Sequence, residues 1–179
     1  KSAACSIAKV PVVPVPLADG TGTEQILKSG TDWVIESEVS RDGQWLVMRE
    51  YRPNGSRDIF ARRWTGDTTE RTVIATPGED VSPTLSPDGQ WIAYGSDDGG
   101  AREVWVSPFP DPRSARWQIS SGVGGYEPLW SRDGKEIFFI TADNVLTAAH
   151  VTTAGGFAVG KREPLFRVDG YRRHFTHRA

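Results

Sequence analysis

Three Asp-Gly pairs stand out first, Asp42–Gly43, Asp88–Gly89 and Asp133–Gly134. Carboxylates recurring at regular intervals suggest either general acid–base work or a cation held between several chain segments. Their surroundings argue for a different role. All three stand in Ser-x-Asp-Gly, where Gly tolerates positive φ and Asp hydrogen-bonds the local backbone, the chemistry of a tight turn. They are expected to build three equivalent turns. The run "SDDGG" at 96–100 has the acidity of a calcium loop but lacks the alternating ligands and closing Glu of an EF-hand, and it too reads as a turn. His174 and His177 lie three apart, which on a strand points them to opposite faces and away from a shared metal. His150 falls in an alternating apolar run and is expected to be structural. No Gly-x-Ser-x-Gly elbow occurs. The expectation is a chain with no catalytic residue, no metal site and no cofactor.

The elements that position these turns repeat. "SRDGQWLVMRE" begins at Ser40, "SPDGQWIAYGS" at Ser86 and "SRDGKEIFFIT" at Ser131, spaced 46 and 45 residues apart. The register continues: "RDIFARRW" from Arg57 aligns with "REVWVSPF" from Arg102, and more loosely with "DNVLTAAHV" from Asp143. A later element follows in "ERTVIAT", "RWQISS" and "EPLFRV", and a short apolar lead precedes each turn in "IESEVS", "SPTLS" and "EPLWS". Each copy reads as four short strands, a to d. Trp91, Ala93 and Gly95 alternate with Ile92, Tyr94 and Ser96, the period of two that marks a strand. No segment holds a helical apolar period. Four strands every 45 residues predict an all-β fold, a β-propeller of antiparallel blades. Trp45, Trp91, Trp105 and Trp130 recur at repeat positions and are expected to fill the space between blades.

Composition agrees with this class. The chain has 179 residues, 19 Gly, 12 Pro, 7 Trp and a net charge of −2. The balance favours neither nucleic acid nor insertion into a membrane. The basic stretch "YRRHFTHR" is too narrow for a nucleic-acid face and reads as a solvated edge strand. The single Cys5 excludes an internal disulfide framework. The opening "KSAACSIAKVPVVPVPL", broken by three prolines, is a poor signal peptide.

One propeller domain or propeller fragment is therefore expected over 1–179. It holds a partial c–d unit at 10–29, complete blades at about 30–76, 77–121 and 122–168, and an extra strand a at 170–177. Three blades do not close a ring. The termini could pair into a fourth blade, two chains could complete one ring, or the chain could be part of a longer propeller. Completion by association is the expectation favoured here, because open strand edges invite pairing.

The stretch "SPDGQWIAYGSDDGGAREVWVSPFPDPRSARWQISSGVGGYEPLWSRDGKEIFFITADNVLTAAHV" resembles the WD-like propeller repeats of the TolB type. It is similar above all to propellers that follow bacterial serine/threonine kinase domains. The resemblance covers roughly 30–168 and rests on the Ser-Pro-Asp-Gly, Val-Ser-Pro-Phe-Pro and Trp-Gln-Ile-Ser elements. It implies a non-catalytic scaffold that binds a protein or peptide, often in the periplasm or elsewhere outside the cytoplasm. A different class remains beside it, the propeller portion of a larger enzyme, peptidase-type or kinase-associated, with its catalytic domain elsewhere. No kinase signature is present in this sequence.

In a propeller the d–a and b–c loops gather on one face around the channel mouth, where loops vary without disturbing the scaffold. That face is expected to carry Arg52 and Arg57, Glu79 and Asp80, Asp97, Asp98 and Arg102, and Tyr126 and Glu127. Mixed charge with an aromatic suits a peptide better than a phosphate backbone.

Overall fold

A computed structural model describes residues 33–51, 55, 57–112 and 115–170. The expected c–d unit at 10–29, the extra strand beyond Gly170, Cys5, Arg52, His174 and His177 lie outside the described residues. The described residues form three four-stranded antiparallel sheets. The first contains β1 (Trp33–Val39), β2 (Trp45–Tyr51), β3 (Arg57–Arg63) and β4 (Arg71–Ile74), in that spatial order. The second contains β5 (Asp80–Leu85), β6 (Trp91–Ser96), β7 (Glu103–Pro108) and β8 (Trp117–Gln118), and the third β9 (Tyr126–Trp130), β10 (Glu136–Ile140), β11 (Val145–Thr152) and β12 (Ala158–Arg167). Each sheet is a blade with its strands in sequence order, so the fold is all-β and belongs to a partial β-propeller.

The a–b turn is one hydrogen-bonded circuit built three times. In the second blade the Ser86 hydroxyl donates to Asp88 Oδ1 at 2.5 Å and accepts the Trp91 N–H at 3.0 Å. Asp88 Oδ1 also accepts the Gln90 N–H at 3.1 Å, and the Gly89 N–H returns to the Ser86 carbonyl at 2.8 Å. Ser40 and Asp42 repeat the circuit in the first blade, Ser131 and Asp133 in the third. The hydrogen bond from Ser40, and that from Ser131, holds each neighbouring aspartate below its usual pKa. Gly43, Gly89 and Gly134 have φ of 69°, 68° and 72°, a region that costs an L residue strain and costs Gly almost none. The Asp-Gly pairs are therefore turn parts.

The core lies between blades. Period-two alternation gives each strand two faces, and in β6 of the middle blade both are buried, Ile92 to Ser96 without exception. Ile92 and Tyr94 pack with Trp45, Val47, Ile59 and Ala61 of the first blade. Ala93, Val104 and Val106 pack with Trp130, Ile137, Phe139 and Ala149 of the third. Aromatic rings wedge each seam. Trp45 meets Phe109 edge-on at 5.2 Å. Trp91, Trp117 and Phe157 form a triangle with centroids 5.0 to 5.6 Å apart. Trp105 packs against the first seam from a half-buried position. The four repeat-position tryptophans thus pack between or against blades.

Equivalent inner strands bend at equivalent places. Ser82 of β5 and Glu127 of β9 adopt φ of 51° and 53°, and the register of both strands shifts there. The Ser82 N–H freed by the bulge donates to Glu36 of the preceding blade at 2.7 Å, so the bend joins neighbours. Among the described residues the outward face of the third blade is partly uncovered: Leu129 is 61% and Phe166 60% exposed. Ala93, at the position corresponding to its Phe138, is fully buried by the next blade.

Removing one hydroxyl should test the turn circuit. Ser86→Ala leaves the Trp91 N–H without its acceptor at a buried position, and a loss of about 1–3 kcal/mol is expected, read as a lower midpoint in urea unfolding at unchanged slope.

Candidate functional site

The loops of the first two blades meet at one side chain. Glu79, the residue before β5, accepts hydrogen bonds from Arg49 NH2 at 2.5 Å, Arg57 NH1 at 2.6 Å and Arg102 NH2 at 2.7 Å. The three donors come from different elements: Arg49 from β2, Arg57 from the first position of β3, and Arg102 from the residue before β7. Asp97 closes the knot from behind. Its Oδ1 accepts the Glu79 N–H at 2.6 Å and its Oδ2 accepts Arg102 NH2 at 3.0 Å. Glu36 of β1 stands 3.8 Å from Arg49 NH1. Three guanidinium groups thus face three carboxylates, and the formal charge balances.

The energetics follow from burial. The Arg49 side chain is only 4% exposed. Burial lowers its pKa while Glu36 and Glu79 pull it back up, and a guanidinium remains charged throughout. Burial also works against the Glu79 charge, but hydrogen bonds from Arg57 and Arg102 and the charge of Arg49 outweigh it and hold the carboxyl below its usual value. Asp97 is held low chiefly by the Glu79 N–H and then by Arg102. A charge cluster of this kind fixes the loops of two blades in one geometry, because each partner left alone would be a costly charge at a partly dry site.

Of the residues expected on the loop face, Arg57, Glu79, Asp97 and Arg102 are brought together in this knot. Asp98 lies at its rim and pairs with Arg116 at 3.1 Å, whose guanidinium stacks over Trp105 at 4.3 Å. Tyr126 and Glu127 open β9 on the same face, one seam further on. Asp80 is a correction. It is fully buried and accepts the Thr76 N–H and the Thr76 hydroxyl, each at 2.8 Å. Burial raises its pKa, and it serves the d–a turn rather than the surface. Arg49 and Glu36 were not among the expected residues. The signal for Arg49 was a charged pair, Arg49 and Glu50, closing the apolar run in "WLVMRE". His150 sits in β11 with Glu136 at 3.5 Å and Glu163 at 3.8 Å.

Two openings flank the knot. One of about 340 Å³ is lined by Gly55, Arg57, Thr76, Gly78 and Glu79 at the first seam. The other, about 710 Å³, lies at the second seam beside Arg102, Gly124, Tyr126, Ala142 and Asp143. Among the described residues, no cluster of His, Cys, Asp and Glu is arranged to hold a metal ion, and no helix is long and apolar enough to cross a membrane.

No family model matches the chain. Solved structures do. TolB from Acinetobacter baumannii superposes with a TM-score of 0.64 at 19% identity, over 84% of this chain and 36% of that one. The fold is that of a TolB-like β-propeller. A TolB candidate from Agrobacterium tumefaciens matches with a TM-score of 0.60 at 21% identity, over 84% of this chain and 56% of that one. The β-propeller domain of the Trilobed protease from Pyrococcus furiosus matches with 0.57 at 14% identity, over 76% and 44% respectively. The chain therefore spans between about a third and somewhat more than half of the TolB-like chains it matches. At these identities the likeness concerns the fold alone.

The knot sets an acid limit on stability. Glu79 and Asp97 titrate lower in the folded chain than the 4.5 and 3.8 of free carboxyls, so the folded form binds these protons more weakly than the unfolded chain. Their contribution is complete above the unfolded values and is lost as pH falls through the folded ones. Glu79→Gln should flatten this part of the stability–pH curve and, at neutral pH, cost about 1–2 kcal/mol, less than the about 3–5 of a fully buried pair because water screens one side. Urea unfolding between pH 3 and pH 7 reads both effects.

Proposed function

We propose that this chain is a non-catalytic TolB-like scaffold that binds a protein or peptide on the face built by its d–a and b–c loops. One observation carries the reading: the Glu79 knot makes the loops of two blades rigid and leaves a groove of about 710 Å³ beside it. A preformed groove costs little ordering on binding, which is what a recognition surface requires. Backbone exposed at Gly100 and Gly122 along the groove suits an extended peptide, and Tyr126 supplies an aromatic contact. The likeness to TolB structures supports a scaffold role.

A second reading is the propeller of a larger peptidase, supported by the likeness to the Trilobed protease propeller. The two differ in what a loop-face substitution changes. In a scaffold, Tyr126→Ala lowers the affinity for peptides selected on immobilised arrays, while Lys135→Ala, in the turn at the opposite end of the blade, leaves it unchanged. In the peptidase reading, Tyr126→Ala leaves peptide affinity unchanged and alters kcat/KM of the polypeptide carrying the catalytic domain.

The outward face of the third blade supports association. Leu129, Phe138, Leu146 and Phe166 share it through the β9–β10, β10–β11 and β11–β12 pairings. A second copy of the chain is the proposed cover, completing a ring between copies. Light scattering coupled to size exclusion is expected to give a multiple of 19.7 kDa, reduced to one copy by Leu129→Asp; a wild-type monomer at all concentrations would sink the self-association.

A further inference from the structure

The two seams carry the same loop architecture with different contents. Arg57 and Arg102 lie 45 positions apart at the start of equivalent strands. At the first seam Arg57 donates to Glu79, which projects from the d–a loop. The position equivalent to Glu79 at the second seam is Gly124, 45 residues later. The shared left-handed residues Ser82 and Glu127 confirm this register. The equivalent of Asp97 is Ala142, and the equivalent of Arg49 is Gly95. Every charged side chain that fills the first seam from these positions is therefore replaced by a glycine or an alanine at the second, except the arginine.

That replacement accounts for the larger groove. Arg102 lines it together with Gly124, Ala142 and Asp143. Its NH2 group is spent on Glu79 and Asp97. Its Nε is buried and meets no acceptor among the described residues. A buried N–H on a charged group that lacks an acceptor is costly, and a carboxylate is the partner whose geometry a guanidinium edge fits.

We propose that the second-seam groove receives a carboxylate of an extended peptide on Arg102, in the place Glu79 takes at the first seam. This deepens the loop-face reading and rests on it. The ligand class is a peptide presenting an Asp or Glu side chain or its own terminal carboxylate. Glycine and alanine walls give it close approach to backbone, and Tyr126 borders the chain beside it. Asp97, which also lines the groove and already accepts from Arg102, and Asp143, exposed at the rim, oppose an anion and limit affinity.

The test is a ¹⁵N NMR titration of the intact chain, read at the amides of Gly100, Gly122 and Gly124. The probes are N-acetyl-glutamate methylamide, its glutamine and lysine counterparts, and N-acetyl-glycine. Saturable shifts with the glutamate probe and not with glutamine are expected, at affinities in the range of about 1 mM that a single ion pair provides. A response to N-acetyl-glycine alone would assign the carboxylate to a peptide terminus. Arg102→Lys should weaken the response by about fivefold or more, because a point charge replaces a planar fork. Asp143→Asn lies outside the knot, leaves the fold intact, and should tighten binding. Equal shifts with glutamine, stronger shifts with lysine, weaker binding in Asp143→Asn, or no shift at tens of millimolar would each overturn the assignment. Array peptides bound regardless of their charge would sink it while leaving the loop-face reading standing. Glutamate binding without any peptide binding would do the reverse.

Discussion

The structure depends on blades hiding their faces against one another. A four-stranded sheet with apolar side chains on two sides has no solvent side, so each neighbour that covers a face stabilises it. The middle blade meets this condition: Ile92 and Tyr94 face one way, Ala93 and Val104 the other, and all are buried. Most of what a propeller must specify is then the spacing between sheets. Here aromatic rings set it. Phe109 and Phe157 each leave the loop after a third strand and pack onto a tryptophan of the blade before, so the same device closes both seams.

Polar groups reinforce the same joints at the other end. Glu36 caps the bulge at Ser82, and Glu79 gathers arginines from two blades. Apolar wedges near the Asp-Gly turns close both seams, and ion pairs near the opposite loops tie the first two blades at their other end. The consequence for recognition is geometric. Loops tied by charge to two sheets are held in one shape, and their sequence is free to vary wherever the tie is absent, as at Gly124 and Ala142.

Much of this architecture was legible in the sequence because turns demand particular residues. Ser, Asp and Gly at fixed offsets announce the circuit that the structure builds, and the repeat spacing announces the blades. The loop face was legible for a related reason: once the turns are placed, Arg57, Glu79, Asp97 and Arg102 must fall on the opposite end. Other features were not readable. Asp80 and Glu79 are adjacent acids, yet only the path of the chain at Thr76 decides that one turns inward. Arg49 reads as an interruption of a strand, since its carboxylate partners lie 13 positions before it and 30 after it. Strand lengths were equally hidden: the outer strand shrinks to two residues in β8 and grows to ten in β12, a matter of pairing rather than of local propensity.

The burial of both blade faces also bears on how the molecule comes apart. When each sheet is stabilised mainly by contact with its neighbours, free energy resides in the seams, and the chain behaves as a short row of coupled units. The middle blade, with two seams, has the most to lose and should be the last to open. Separation at either seam exposes apolar side chains that are now buried, Ile92 and Tyr94 at the first, Ala93 and Val104 at the second. Each seam that opens turns hidden packing into exposed apolar surface, and the cost of that exposure couples the opening of one blade to that of its neighbour.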